Sequence, residues 1–270
     1  MDTVKCLFLI SGILLFAACA SVPEKLEQKA LEYGFGKLRL SGIVHEHIAF
    51  ENHAVPGSMQ LHIYLEGDGS PWLDRGRVAP DPTPRNPLML GLMALDSAPA
   101  LYLGRPCYHG LSDTAACNPL HWTQRRYSAE VVDSMARALR NYLASHNYSQ
   151  LVFAGYSGGG TLAVLLASHF PETVAVVSLA GNLNTDQWTE YHQYSTLEGS
   201  QNPARLPPLP VSVKEMHFVG GNDDNILPGF VVPRKYSRAN VEVTILENFD
   251  HTCCWEKIWP SILKRIASLE

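Results

Sequence analysis

The chain has 270 residues, 46% of them hydrophobic and 17% charged, an ordinary globular composition with enough length for one large core. A formal net charge of −5 and a pI near 6.1 exclude nucleic acid as the main partner, because binding phosphate needs a basic face. No short-period repeat or low-complexity block is visible.

The N-terminus differs from the rest. Lys5 and the terminal amine precede an apolar run, Cys6 to Ala18, of signal-peptide length and short for a membrane span. The run ends in Leu15-Phe16-Ala17-Ala18-Cys19, which resembles a bacterial lipobox. That resemblance implies export, removal of residues 1–18, lipidation of Cys19 and a membrane anchor in the cell envelope. Ala20 after Cys19 resembles the sorting signal for the periplasmic side of the outer membrane. The competing reading is a signal peptide cut after the small residues Ala18-Cys19-Ala20, which releases the protein. Residues 19–37 then read as a polar tether, and residues 38–270 as the folded domain.

Export gives the cysteines meaning. Cys107, Cys117, Cys253 and Cys254 would lie in an oxidising compartment. Cys107 and Cys117 flank a short polar loop and are the preferred bridge. The adjacent Cys253 and Cys254 read as one or two buried free thiols. Neither pair has the two-residue gap of a zinc knuckle, so no metal site is read here.

Leu61–Leu65 begins with alternating apolar and polar residues and reads as a strand, as do residues 98–104. Between them lies a long Gly/Pro-rich loop and a short apolar helix, LMLGLMALD. Residues 128–145 are helical by period, with Val131, Val132, Met135, Leu139, Tyr142 and Leu143 on one face behind the N-cap candidate Ser128. Leu151–Ala154 is a short buried strand and 159–169 a buried helix. Strands follow at Thr173–Ala180, Glu215–Val219 and Val241–Leu246, and helices at 229–238 and 255–268. Such alternation implies an α/β domain with a mostly parallel sheet covered on both faces. Residues 182–212 fit neither pattern and read as a small cap-like insertion.

Between the buried strand and the buried helix stands Gly155-Tyr156-Ser157-Gly158-Gly159, a G-x-S-x-G sequence on a strand-to-helix turn. Such a turn lifts a serine hydroxyl above the sheet in a strained conformation. The positions two before and two after it come too close for side chains. Ser157 is therefore the candidate nucleophile. A serine hydroxyl needs a base oriented by a third group, and in this architecture acid and histidine follow on later loops. The loop after Glu215–Val219 carries Asp223 and Asp224, and the loop after Val241–Leu246 carries Asp250 and His251. His251 is the candidate base by chain order.

This arrangement resembles the α/β-hydrolase superfamily, whose acid loop commonly reads G-x-x-D-x-x-V-P. Gly221-Asn222-Asp223-Asp224-Asn225-Ile226-Leu227-Pro228 fits that register with Asp224 as the acid. Asp223 is the alternative, and Asp250 ranks below both. The stretches EGDGSPW, DPTPRNP, GRPCY, GYSGGG, AGNLN and DHTCCW are similar to a group of uncharacterised exported bacterial hydrolases, over most of residues 59–268. The resemblance implies the α/β-hydrolase fold and a Ser157–His251–Asp224 triad, with no cofactor.

Acyl transfer also needs N–H donors for the developing oxyanion. Gly158 follows the nucleophile directly and is one. The second lies in the loop after Leu61–Leu65, where Glu66-Gly67-Asp68-Gly69 places the Asp68 N–H in register and Gly67 beside it. Glu66 departs from the family pattern. Either Arg75, Arg77 or Arg85 pairs with Glu66 or Asp68 and holds the loop, or a carboxylate grips a cationic substrate group. The expected activity is cleavage of a small-molecule carboxylic ester through an acyl-enzyme. An exopeptidase or amidase of the same fold, and a non-catalytic binding protein on this scaffold, are the alternatives.

Overall fold

The computed structural model describes residues 20–53, 57–74, 76–231 and 238–269. Cys6, Cys19 and the whole expected leader lie outside these residues, as do Arg75 and most of the helix expected over 229–238.

The segment expected as a tether is part of the domain. Ser21 and Glu24 form a reciprocal capping box that starts α1 (Val22–Glu32). One side of α1 buries Leu26 and Ala30 in the same core cluster as Met89 and Trp259. A helix holding core residues cannot act as a free linker, and the domain accordingly begins before residue 38. After α1 come β1 (Gly36–Ser41) and β2 (Glu46–Glu51), which pair antiparallel. Neither strand was anticipated, although Leu38 and Leu40 alternate with exposed Lys37 and Arg39.

The chain continues through β3 (Gln60–Leu65), α2 (Leu88–Met93), β4 (Ala100–Leu103), α3 (Ala129–Leu143) and β5 (Gln150–Tyr156). Then follow α4 (Gly158–Ala167), β6 (Thr173–Leu179), α5 (Thr185–Tyr191), β7 (Lys214–Gly220), α6 (Pro228–Val231), β8 (Val241–Leu246) and α7 (Trp255–Ala267). The eight strands form one sheet in the order β1-β2-β4-β3-β5-β6-β7-β8. β2 runs antiparallel to both neighbours, and every pair from β4 to β8 is parallel.

Strand periodicity divides the core between two faces. Tyr64, Tyr102, Val152 and Val177 pack with Leu26, Met89 and Trp259 on one side. Leu61, Ile63, Leu65 and Phe153 pack with Val131, Met135 and Leu162 on the other. Every residue of β3 is buried, as a central parallel strand requires. Residues 182–212 contain α5 and a single 3-10 turn at Pro203–Arg205.

Cys107 is bonded to Cys117. Cys253 and Cys254 are joined to each other, where free thiols were expected; with Cys107 and Cys117 bonded together, each is the other's remaining described partner.

The β5–α4 turn is the tightest test of this packing. A Cβ on Gly159 would overlap the backbone oxygen of Leu65, whereas one on Gly229 would meet open space. Gly159→Ala is expected to cost about 1–3 kcal/mol of unfolding free energy, and Gly229→Ala less than about 0.5 kcal/mol. Urea titration of both variants measures this, and equal losses would contradict the close approach.

Candidate active site

The parallel strands deliver three loops to one edge of the sheet, at their C-terminal ends, where open α/β sheets place ligands. Ser157 stands between β5 and α4 at φ 52° and ψ −121°, a left-handed conformation that a non-glycine residue holds only when its surroundings force it. The force is backbone contact. The Ser157 N–H donates to the Leu179 carbonyl at 2.9 Å, and its own carbonyl accepts from Gly160 N at 2.9 Å and Asn182 N at 3.1 Å. A Cβ at Gly155 would overlap the Gly159 carbonyl, so these glycines are a steric requirement of the turn.

His251, on the loop after β8, brings Nε2 to 3.1 Å from Ser157 Oγ. Its Nδ1 lies 2.8 Å from Oδ2 of Asp223, on the loop after β7. With Nδ1–H donating to the carboxylate, Nε2 is left as the acceptor for the serine hydroxyl. The structure thus sets Asp223, not the expected Asp224, against the histidine. The cause is local. Asp223 is 2% exposed and its Oδ1 accepts from Asn225 N at 2.9 Å and Ile226 N at 2.8 Å, which turns its carboxylate inward. The neighbouring Asp224 is exposed. Asp250 is exposed as well, and its carboxylate accepts from Thr252 N and Cys253 N.

The loop after β3 passes directly over the serine: a Cβ on Gly67 would lie 3.6 Å from Ser157 Cβ. Asp68 does not reach Arg77 or Arg85 of its own loop. Arg77 pairs with Asp74 in solvent, and Arg85 is exposed. Asp68 instead meets Arg105 Nη1 and Arg126 Nη1, each at 2.8 Å, and accepts the Tyr127 hydroxyl at 2.8 Å. The Tyr108 hydroxyl donates to its carbonyl at 3.0 Å. Burial alone would raise the Asp68 carboxyl, but Arg126, Arg105 and Tyr127 outweigh it and hold it at about 2. This charge-paired cluster presses on the nucleophile turn, since a Cβ on Gly158 would overlap both Asp68 Oδ1 and the Tyr127 hydroxyl. Arg126 and Tyr127, in WTQRRY, carried no signal in the sequence; their partner is distant along the chain.

Glu66 is buried and satisfied by backbone. Its Oε1 accepts from Gly67 N at 3.1 Å and its Oε2 from Met89 N at 2.9 Å, the first turn of α2. α2 begins at Pro87, whose side chain offers no cap, and the Glu66 carboxylate takes that place. Among the described residues Glu66 pairs with no arginine of its own loop, and both its oxygens accept from backbone N–H groups. The Gly67 N–H, a candidate oxyanion donor, is likewise engaged.

A cavity of about 1320 Å³ opens over Ser157 and His251, walled by Trp72 and Arg85 on one side and by Trp188, His192 and Tyr194 of the insertion on the other. Trp188 Nε1 donates to Asn225 Oδ1 at 3.1 Å, and Asn225 Nδ2 lies 3.1 Å from His251 Nε2, so the insertion is tied to the histidine through one side chain. Asn182 also lines the cavity, and its Oδ1 is buried without a hydrogen-bond partner among the described residues.

The sequence matches no family model and no curated protein. Solved structures do match. The Pyrococcus furiosus esterase Pf2001 aligns with a TM-score of 0.60 at 12% identity, over 89% of this chain and 93% of that one. A protein of unknown function from Agrobacterium tumefaciens aligns with a TM-score of 0.57 at 14% identity, over 86% and 95%. The Pyrococcus horikoshii acylaminoacyl peptidase aligns with a TM-score of 0.61 at 12% identity, over 86% of this chain and 41% of that larger one. Strand order, crossover pattern and these likenesses agree: the chain has the α/β-hydrolase fold.

Burial raises the Glu66 carboxyl to about 7 against the hydrogen bonds from Gly67 and Met89. The native state then holds this proton where the unfolded chain has released it, so stability attributable to Glu66 falls as pH rises from about 4.5 to about 7. Wild type is expected to lose about 3 kcal/mol relative to Glu66→Gln across that window, with no further change above it. Paired urea titrations between pH 4 and 8 give the difference directly. A difference independent of pH would refute the assignment.

Proposed function

We propose that the protein is a serine hydrolase that cleaves a carboxylic ester. One observation carries this reading: Ser157 Oγ, His251 Nε2, His251 Nδ1 and Asp223 Oδ2 form a continuous chain of contacts at 3.1 and 2.8 Å, with the serine at the tip of a strained turn. Ser157 attacks the acyl carbon as its proton passes to His251. Asp223 keeps the imidazole in the required tautomer and stabilises the imidazolium that forms. The backbone N–H groups of Gly158 and Asp68 receive the oxyanion, the latter on a loop held by Arg105, Arg126 and Tyr127. His251 returns the proton to the leaving alcohol, and water then repeats the sequence on the acyl-enzyme.

The cavity wall of tryptophans and Tyr194 suits an apolar or aromatic group, and Asn182 Oδ1 offers an acceptor to a substrate hydroxyl or N–H. Ester hydrolysis is favoured over exopeptidase action because Glu66, the residue that would have gripped a free amino terminus, is committed to backbone N–H groups. We also propose export and anchoring through Cys19; a Cys107–Cys117 bond suits an oxidising compartment.

A panel of short p-nitrophenyl esters and aminoacyl anilides tests the reaction class. Ester turnover that vanishes in Ser157→Ala, with anilides slower by at least about 10²-fold, is the expected result; faster anilide turnover would assign an amidase. In the same assay Asp223→Asn is expected to lower kcat by about 10⁴-fold through loss of the tautomer, and Asp224→Asn by less than about twofold. Equal losses, or the reverse order, would contradict the role given to Asp223.

A further inference from the structure

A second cluster of reactive side chains lies apart from the triad. His45 precedes β2, His121 sits in a 3-10 turn at Pro119–Trp122, and Cys107 lies in the loop after β4. All three are buried, at 3%, 8% and 0% exposure. The two imidazoles are arranged alike. His45 Nε2 lies 3.1 Å and His121 Nε2 3.4 Å from one oxygen, Glu130 Oε1, in the first turn of α3. An ionised carboxylate only accepts, so each imidazole carries its proton on Nε2 and leaves Nδ1 as a lone pair. Both lone pairs are aimed at the same atom: Cys107 Sγ is 3.9 Å from His45 Nδ1 and 3.7 Å from His121 Nδ1.

A disulfide sulfur has no proton to give to either nitrogen, and a buried acceptor without a donor costs about 1–3 kcal/mol. A cation would satisfy both. Metal–sulfur and metal–nitrogen bonds of about 2.3 and 2.1 Å in a tetrahedron set sulfur–nitrogen edges of about 3.6 Å. The observed 3.7 and 3.9 Å lie close to that value, and the three donor atoms are all within 4.8 Å of one another. Glu130 supplies the carboxylate that metal-bound histidines usually carry on their other nitrogen.

We propose that Cys107, His45 and His121 form a binding site for a thiophilic divalent cation of the zinc type, available when the Cys107–Cys117 bond is reduced. A dithiol supplies the two electrons: the protein S–S bond breaks, an S–S bond forms in the reductant, and its two protons pass to the two cysteine sulfurs. Metal binding then releases the Cys107 thiol proton to solvent. Cys117, half-buried and accepting from Thr114 Oγ1 at 3.2 Å, is freed by the same reduction. Bridge and metal are thus alternative occupants of one sulfur. The spacing of the cysteines alone hides this site, because its histidines come from distant segments.

The test uses the full chain carrying Cys6→Ser and Cys19→Ser, reduced with dithiothreitol, desalted without oxygen and titrated with Co²⁺ and then Zn²⁺ against a chromophoric chelator. One equivalent is expected for the reduced protein, with tetrahedral cobalt bands and a thiolate charge-transfer band, and none for the oxidised protein. Glu130→Gln is expected to weaken Zn²⁺ binding by about 10–100-fold, and His121→Gln by more. Glu130 has a side chain 45% exposed, so its variant keeps the reading available if His121→Gln does not fold. No uptake by reduced protein, or equal uptake by oxidised protein, would overturn the site. Uptake unchanged by these substitutions would place the metal on Cys253 and Cys254 and overturn it as well.

Discussion

A serine held at φ 52° between a strand and a helix is the constraint on which the rest of this molecule depends. Left to itself that conformation is costly, and the chain keeps it by surrounding the turn with backbone. Gly155 and Gly159 let the start of α4 fall onto the end of β5 and against the Leu65 carbonyl. The helix can sit there only because β3, β5 and β6 are central strands, buried on both faces. Stability of the sheet is thereby converted into position of one hydroxyl.

The same logic extends to the charges. Asp68 carries a carboxylate into the interior next to Gly158, an arrangement that would be prohibitive alone. Arg105 and Arg126 answer it, and tyrosine hydroxyls complete the hydrogen bonding, so the loop over the serine is anchored by an ion cluster whose cations come from outside it. Glu66 has the opposite solution. Arg105 donates to its backbone carbonyl, but its carboxylate is satisfied by N–H groups, one of them at the start of α2, and burial pushes its carboxyl up. Two neighbouring acids are thus driven apart in protonation by their surroundings.

Much of this was legible from sequence. The alternation of strands and helices gave the parallel sheet, and G-x-S-x-G in its strand–turn–helix context located Ser157. His251 followed from chain order. The register of the acid loop favoured Asp224 over Asp223, the reverse of the structure, because the choice depends on which carboxylate folds back onto Asn225 N and Ile226 N. β1 and β2 were missed for a different reason: β1 is an edge strand with no fully buried residue, and the buried run of β2, His47 to Phe50, is too short to read as a strand before its pairing with β1 and β4 is known. Arg105, Arg126, His45 and His121 were out of reach altogether. Their meaning lies in partners brought together by the fold, and nothing local in sequence marks them.

The central claim is that Ser157 is an activated nucleophile, and covalent capture tests it without knowledge of the substrate. Fluorophosphonate labelling of the purified protein, followed by intact-mass and peptide mapping, is expected to place a single adduct on Ser157 and none on Ser157→Ala. An unlabelled wild-type protein, or an adduct at another residue, would contradict the account and favour a binding protein on this fold.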